Sequence, residues 1–217
     1  TILTKIKNLL NKITEKTYEK MVIDLINLIQ LIYDNNDESK DEITYFIFDF
    51  FTKNLFMSKI YSNIYKILCN KYNDFKIIIL KNVDKFDNIL KYLENNNKDN
   101  IDIEYFKSYF LFYSNCYKYN IIELNIIQTI VINYQNTLIK LINESDKKDS
   151  CENISELIFV IIKNLHSEIN ENIENNEINK SILNTINNIT NFKVYNYKSL
   201  SYKIIFKHKD LLDLFNK

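Results

Sequence analysis

The sequence contains no glycine, no proline and no tryptophan. It also lacks alanine and arginine, so all 28 basic residues are lysines. Without glycine there is no glycine-rich phosphate loop, no dinucleotide fingerprint and no nucleophile elbow. Hairpin turns that need positive φ lose their usual residue, which makes a β-rich fold hard to build. Helices joined by short polar loops are not hindered, because Asn and Asp tolerate the left-handed conformation. Cysteine is sparse: Cys69, Cys116 and Cys151 form no CxxC pair, so no zinc or redox motif is present, and the odd count fits a reducing compartment. No apolar run reaches 18 residues and no signal peptide is seen, so the chain is expected to be soluble, without a membrane partner, and cytoplasmic.

What is present has a simple pattern. The missing Gly, Ala, Arg and Pro have GC-rich codons, and the dominant Ile, Asn, Lys, Leu, Tyr and Phe have AT-rich ones. This points to an AT-rich genome, such as that of a large DNA virus of amoebae or a protist. The 217 residues suit one domain, taken as 1–217, and with 46% hydrophobic residues there is ample core material. A chain of this length buries roughly 70% of its unfolded surface. The 28 acidic residues balance the 28 basic ones, which argues against a non-specific nucleic-acid binder. The first residue is Thr1 rather than Met, so the chain is expected to be a domain excised from a longer protein. Asn143-Glu144-Ser145, Asn153-Ile154-Ser155 and Asn188-Ile189-Thr190 match the glycosylation sequon, but in so Asn-rich a chain they read as chance.

Apolar residues recur with helical period throughout. Ile6, Leu9, Leu10 and Ile13 mark a helix over 2–13. Thr14 is positioned to cap a second helix that buries Tyr18, Val22, Leu25, Ile29 and Ile32, with Glu15 at its positive end. Further helices are expected over 40–54, 58–72 (capped by Ser58), 75–94, 103–119, 122–143, 152–169, 177–191 and 198–215. Asn120 is expected to adopt the left-handed conformation that ends a helix. Polar breaks fall at 34–37, 95–102 and 144–150. Some β-branched alternation at 192–206 leaves a short strand as the alternative there. About ten helices in five antiparallel pairs, with a unit of 40–47 residues, make an all-α HEAT-type solenoid.

No enzyme site can be assembled, and no cofactor or metal is expected. His166 and His208 sit on different helices without metal-ligand spacing and read as surface or interhelix residues. Asp34, Asp37 and Glu38 read as a solvated loop rather than a calcium site, since the glycine of the EF-hand is missing. The aromatic clusters at 45–51 and 105–119 have two readings: stacking platforms for single-stranded RNA, or an AT-biased helical core.

Five segments carry a resemblance. They are Thr4 to Thr14 (TKIKNLLNKIT) with Tyr18 following, Ile43 to Leu68 (ITYFIFDFFTKNLFMSKIYSNIYKIL), Phe75 to Leu80 (FKIIIL), Phe112 to Ile122 (FYSNCYKYNII) and Tyr202 to Leu214 (YKIIFKHKDLLDL). In order and in register, they resemble the middle domain of eukaryotic translation initiation factor 4 gamma. Glu15 stands where that family has Pro, and Ser114 and Asn120 stand where it has Gly. In the second segment Ser58, Tyr61 and Asn63 match a Ser…Tyr-x-Asn pattern. The resemblance implies a HEAT-type scaffold without catalysis that clasps a DEAD-box RNA helicase, holds its two lobes, and in some members contacts mRNA. It implies a partner site at Leu10, Ile13 and Tyr18, rimmed by Asn11, Lys12, Thr14 and Glu15. Leu10 and Ile13 also lie on the buried stripe, so a core role stands beside that reading. A second contact is expected at Glu168, Glu171 and Glu174 on the same edge. Lys5 and Lys7 are the candidates for RNA contact, weakened by the absence of arginine's bidentate fork. A cap-binding protein would engage sequence outside this domain, which is expected to be monomeric. The alternatives are a related scaffold of mRNA decay or nuclear cap binding, and a direct RNA-binding module.

Overall fold

A computed structural model describes residues 1–35, 38–95, 102–171 and 173–216. The described residues are helical without a strand. They form α1 (Ile2–Leu10), α2 (Tyr18–Asp34), α3 (Lys40–Thr52), α4 (Ser58–Lys71), α5 (Asn73–Lys81), α6 (Lys85–Asn95), α7 (Ile103–Lys118), α8 (Leu124–Leu141), α9 (Lys148–Glu171), α10 (Glu177–Asn191) and α11 (Tyr202–Phe215). The fold is all-α and solenoid-like, and one buried cluster runs from Ile6 to Leu211.

The helices are started by side chains that replace missing hydrogen bonds. Thr1, Asp102, Asn176 and Ser201 cap α1, α7, α10 and α11. Asn120 has φ 56°, so it closes α7 in the left-handed conformation that glycine would favour. Two expected caps fall elsewhere. Thr14 caps only a single turn: its Oγ1 accepts from Thr17 N at 3.2 Å, the Thr17 hydroxyl donates to Lys12 O at 2.6 Å, and α2 begins at Tyr18. Ser58 is the first residue of α4 and is buried, and its Oγ accepts from Asn115 Nδ2 at 3.0 Å. Asn54 Oδ1 instead accepts from Met57 N at 3.0 Å. The segment 192–206 holds a 3-10 turn at Val194–Asn196 followed by α11. The expected breaks at 34–37 and 95–102 extend outside the described residues.

The expected single helix over 75–94 is broken at Asn82–Asp84 into α5 and α6. Val83 N bonds Leu80 O, and Phe86 N bonds Val83 O, instead of the carbonyls one residue earlier. Ile79 O thereby loses its helical donor, and Asn82 O is left to Lys85 N. Buried tyrosines supply the replacements. Tyr113 donates to Ile79 O at 2.7 Å and Tyr109 to Asn82 O at 2.8 Å. Two further tyrosines, Tyr65 and Tyr134, donate to Phe75 O and Phe86 O inside α5 and α6, at 2.6 and 2.7 Å. Their rings pack with Phe48, Phe86, Phe110 and Phe112, mostly edge to face. The aromatic clusters at 45–51 and 105–119 therefore place most of their rings in the core.

Successive repeats stack in register. Asn164 on α9 donates to Ser114 Oγ (2.8 Å) and Asn115 Oδ1 (2.9 Å) on α7, 50 and 49 residues earlier. Lys207 on α11 meets Glu156 on α9 at 3.0 Å, 51 residues apart. Gln128 and Gln135 on α8 donate to Asn179 Oδ1 and Ile182 O on α10, 51 and 47 residues apart. The unit in this half is thus nearer 50 residues than 40–47. The pairing also departs from five equal pairs, because α5 and α6 add a broken helix and α11 packs against both α9 and α10. α4, α7, α9 and α11 run in the same sense as one layer, with Lys66 bonded to Asn120 O and Lys118 paired with Glu168 at their C-terminal ends.

Tyr113→Phe removes the hydroxyl that donates to Ile79 O while leaving the ring in place. It should lower unfolding free energy by roughly 1–3 kcal/mol, seen as a lower urea midpoint at unchanged m. Tyr45→Phe, at an exposed ring, should leave the midpoint unchanged.

Candidate functional site

The α1–α2 turn, the first two turns of α4 and the α7–α8 turn meet around an open cleft of about 610 Å³. It is lined by Glu15, Lys16, Tyr18, Glu19, Lys59, Ile60, Asn63 and Tyr119. Tyr18 is half-buried, and its hydroxyl accepts a hydrogen bond from Asn63 Nδ2 at 2.8 Å. Burial and the neighbouring Tyr119 raise the Tyr18 hydroxyl above its ordinary pKa, so the ring stays neutral. The cleft therefore offers two tyrosine rings and an amide, rimmed by two carboxylates and two ammonium groups.

The residues expected at this site divide by exposure. Asn11, Lys12, Thr14 and Glu15 are exposed. Leu10 is fully buried and Ile13 is 4% exposed, so neither can serve as an apolar anchor for a partner. Their stripe faces the core because four and seven residues from Ile6 return to the same side of a helix and its continuing turn. They hold the turn in place, and Tyr18 is the one apolar member of the trio within reach of a partner.

Glu168 and Glu171 lie in the last turns of α9, and Glu174 lies in the turn before α10. Glu168 pairs with Lys118 at 3.4 Å, next to Tyr119 of the cleft. Glu168 is thereby joined to the end of α7 that borders the cleft, whereas no ion pair or cleft contact links Glu171 or Glu174 to it among the described residues. Lys5 is exposed, and Lys7 lies 5.1 Å over the Phe46 ring. Reading along the sequence did not single out Lys16, Glu19, Lys59, Ile60, Asn63 or Tyr119 as site residues. For Asn63 a signal existed in the Tyr-x-Asn match. For Tyr119 there was none, since only the fold brings it to Tyr18.

Other candidates resolve as structural groups. The thiols of Cys69 and Cys151 are pushed up to about 12 by burial, and Cys116 is raised by complete burial, so all three are poor nucleophiles. Among the described residues no cluster of His, Cys, Asp or Glu has the geometry to hold a metal ion. Asp37 lies outside them. No described helix is long and apolar enough to cross a membrane. His166 is part-exposed, with Nδ1 2.9 Å from Lys163 O. His208 is fully buried on α11; its Nδ1 is 2.8 Å from Ile204 O and its Nε2 has no partner.

No family model matches the chain, and no curated protein matches it significantly.

Burial lowers the His208 imidazole to about 4 from 6.5, because the charged ring would be stranded among apolar side chains. The unfolded chain thus takes up a proton near pH 6.5 that the folded chain resists until about pH 4. Stability from this group is complete above pH 6.5 and falls as pH drops toward 4, by roughly 3 kcal/mol. Urea unfolding across that range should show the loss, and His208→Leu should flatten it.

Proposed function

We propose that this chain is a translation-initiation scaffold domain. It binds a DEAD-box RNA helicase along the edge formed by the α1–α2 turn and the C-terminal ends of α7 and α9. The observation that carries this reading is the exposed Tyr18 cleft, which Tyr119 at the end of α7 borders, with Glu168 of α9 paired to the adjacent Lys118. A single partner with two lobes has two contacts to make on a rigid helical stack. Two positions of the resemblance support it further. Asn120 adopts the left-handed conformation where the family has glycine, and Ser114 is fully buried where the family has its other glycine. A small residue at 114 lets α7 approach α9, and its hydroxyl accepts from Asn164 at 2.8 Å.

Such a domain acts by population shift. It binds the closed, productive arrangement of the two lobes more tightly than the open one and so raises its occupancy. No bond is made or broken by the scaffold itself. The setting proposed is cytoplasmic, with the cap-binding protein engaged by sequence outside this domain. Lys5, with Lys7 beside it, offers a modest electrostatic contact to mRNA.

A pull-down with the initiation-complex helicase tests the site on exposed residues. Lys12→Ala, Glu15→Ala and Tyr18→Ala together should weaken binding at least about tenfold while leaving the melting temperature within a few degrees. Undiminished binding by this folded variant would remove the site from the reading. Leu10→Ala is expected to act differently, lowering stability by about 2–5 kcal/mol through a core cavity. If the domain binds RNA directly through its lysines, affinity should fall steeply between about 50 and 200 mM salt, whereas helicase binding centred on Tyr18 should change little.

A further inference from the structure

A second groove, of about 480 Å³, lies between the α3–α4 loop and the solvent-facing sides of α7, α9 and α11. Its floor is apolar, made by Leu55, Leu111, Phe159 and Val160. Its charged lining is Lys107, Lys163, Lys207 and Glu156, three lysines against one glutamate in a chain of zero net charge. Three ammonium groups converge on Glu156, Lys207 at 3.0 Å, Lys203 at 3.7 Å and Lys107 at 3.9 Å. Lys107 also meets Glu104, and Lys203 meets Glu152, but neither glutamate lines the groove. Lys163 is exposed and has no ion-pair partner among the described residues; its Nζ lies 5.5 Å from the Phe159 ring. The single lining carboxylate cannot offset the ammonium groups around it, and the low-dielectric floor strengthens the remaining positive field.

The chemistry of the floor selects the occupant. Lys207 sits 4.4 Å from the Phe159 ring centre, on the same ring that Lys163 approaches. A nucleobase would have to displace an ammonium group to stack there, and the rest of the floor is aliphatic. An apolar side chain fits such a floor, and carboxylates beside it match the lysines. We propose that this groove binds an acidic peptide segment of a partner protein, seating an aliphatic or aromatic side chain on Leu55, Leu111 and Val160 with its carboxylates on Lys163, Lys107 and Lys207. The groove shares no residue with the Tyr18 cleft, so this site stands or falls separately from helicase binding.

Fluorescence anisotropy with a labelled peptide, Asp-Asp-Leu-Phe-Asp-Asp, tests it on the whole chain. Saturable binding with Kd below about 100 μM at low salt is expected. Lys163→Glu, at an exposed and unpaired position, should weaken it at least about tenfold, and Lys5→Glu should not. A peptide with lysine in place of each aspartate should not bind. Should Lys163→Glu lower the melting temperature, Leu55→Ser in the loop reads the same groove through its floor. Absence of saturable binding to the wild-type chain, or equal affinity for Lys163→Glu, would overturn the proposal. So would tighter binding of oligouridylate that is lost in Lys163→Glu, which would assign the groove to RNA.

Discussion

The structure depends on how the break between α5 and α6 is satisfied. A helix interrupted inside a core strands carbonyls that water cannot reach, and each stranded group costs of order 1–3 kcal/mol. Here tyrosines from three other helices donate to carbonyls of the 75–86 segment. The same rings fill the space between helices that small residues would otherwise close. In a sequence without Gly or Ala, aromatic rings fill much of the space between these helices. The hydroxyls of those rings then become the donors that permit the break. Core filling and backbone satisfaction are one device in this half of the molecule.

In the second half the joining principle changes from rings to a ladder of amides and ion pairs. Asn164 bonds Asn115, and Asn115 in turn bonds Ser58, so one polar chain crosses α9, α7 and α4. Lys207 and Lys203 repeat the step from α11 onto α9 through Glu156 and Glu152. From α7 to α9 and from α9 to α11 these contacts recur at separations of 49 and 51 residues, as stacking of similar units requires. They fix the register of each helix on its neighbour, and register decides which loops share an edge. The cleft around Tyr18 and the groove around Phe159 are both products of that register.

Much of this could be read along the chain because helical periodicity is local. The stripes through Leu25, Ile29 and Ile32, or through Ile154, Leu157 and Ile161, needed only 3.6-residue spacing. The left-handed Asn120 followed from an Asn at a helix end in a chain without glycine. Thr14 was misplaced as the cap of α2 because an extra turn over Thr14–Thr17 separates it from the helix, with the Thr17 hydroxyl turned back to Lys12 O. The break at Asn82–Asp84 left only an Asn and an Asp as its trace, since its partners are tyrosines 27 and 34 residues away. Leu10 and Ile13 had two readings, and burial chose between them.

The sequence by itself determined that the chain is helical and that glycine-dependent chemistry is absent. Those conclusions rest on composition and on the short-range geometry of the backbone, which no distant contact can reverse. The tertiary structure alone decided which residues of the first turn a partner can touch, that Asn63 and Tyr119 stand beside Tyr18, and that Glu156 gathers three lysines. Each of these joins side chains from different helices, and their meeting depends on the angle and register at which whole helices pack. Packing of that kind is a sum over many weak contacts, so no single stretch of sequence carries it.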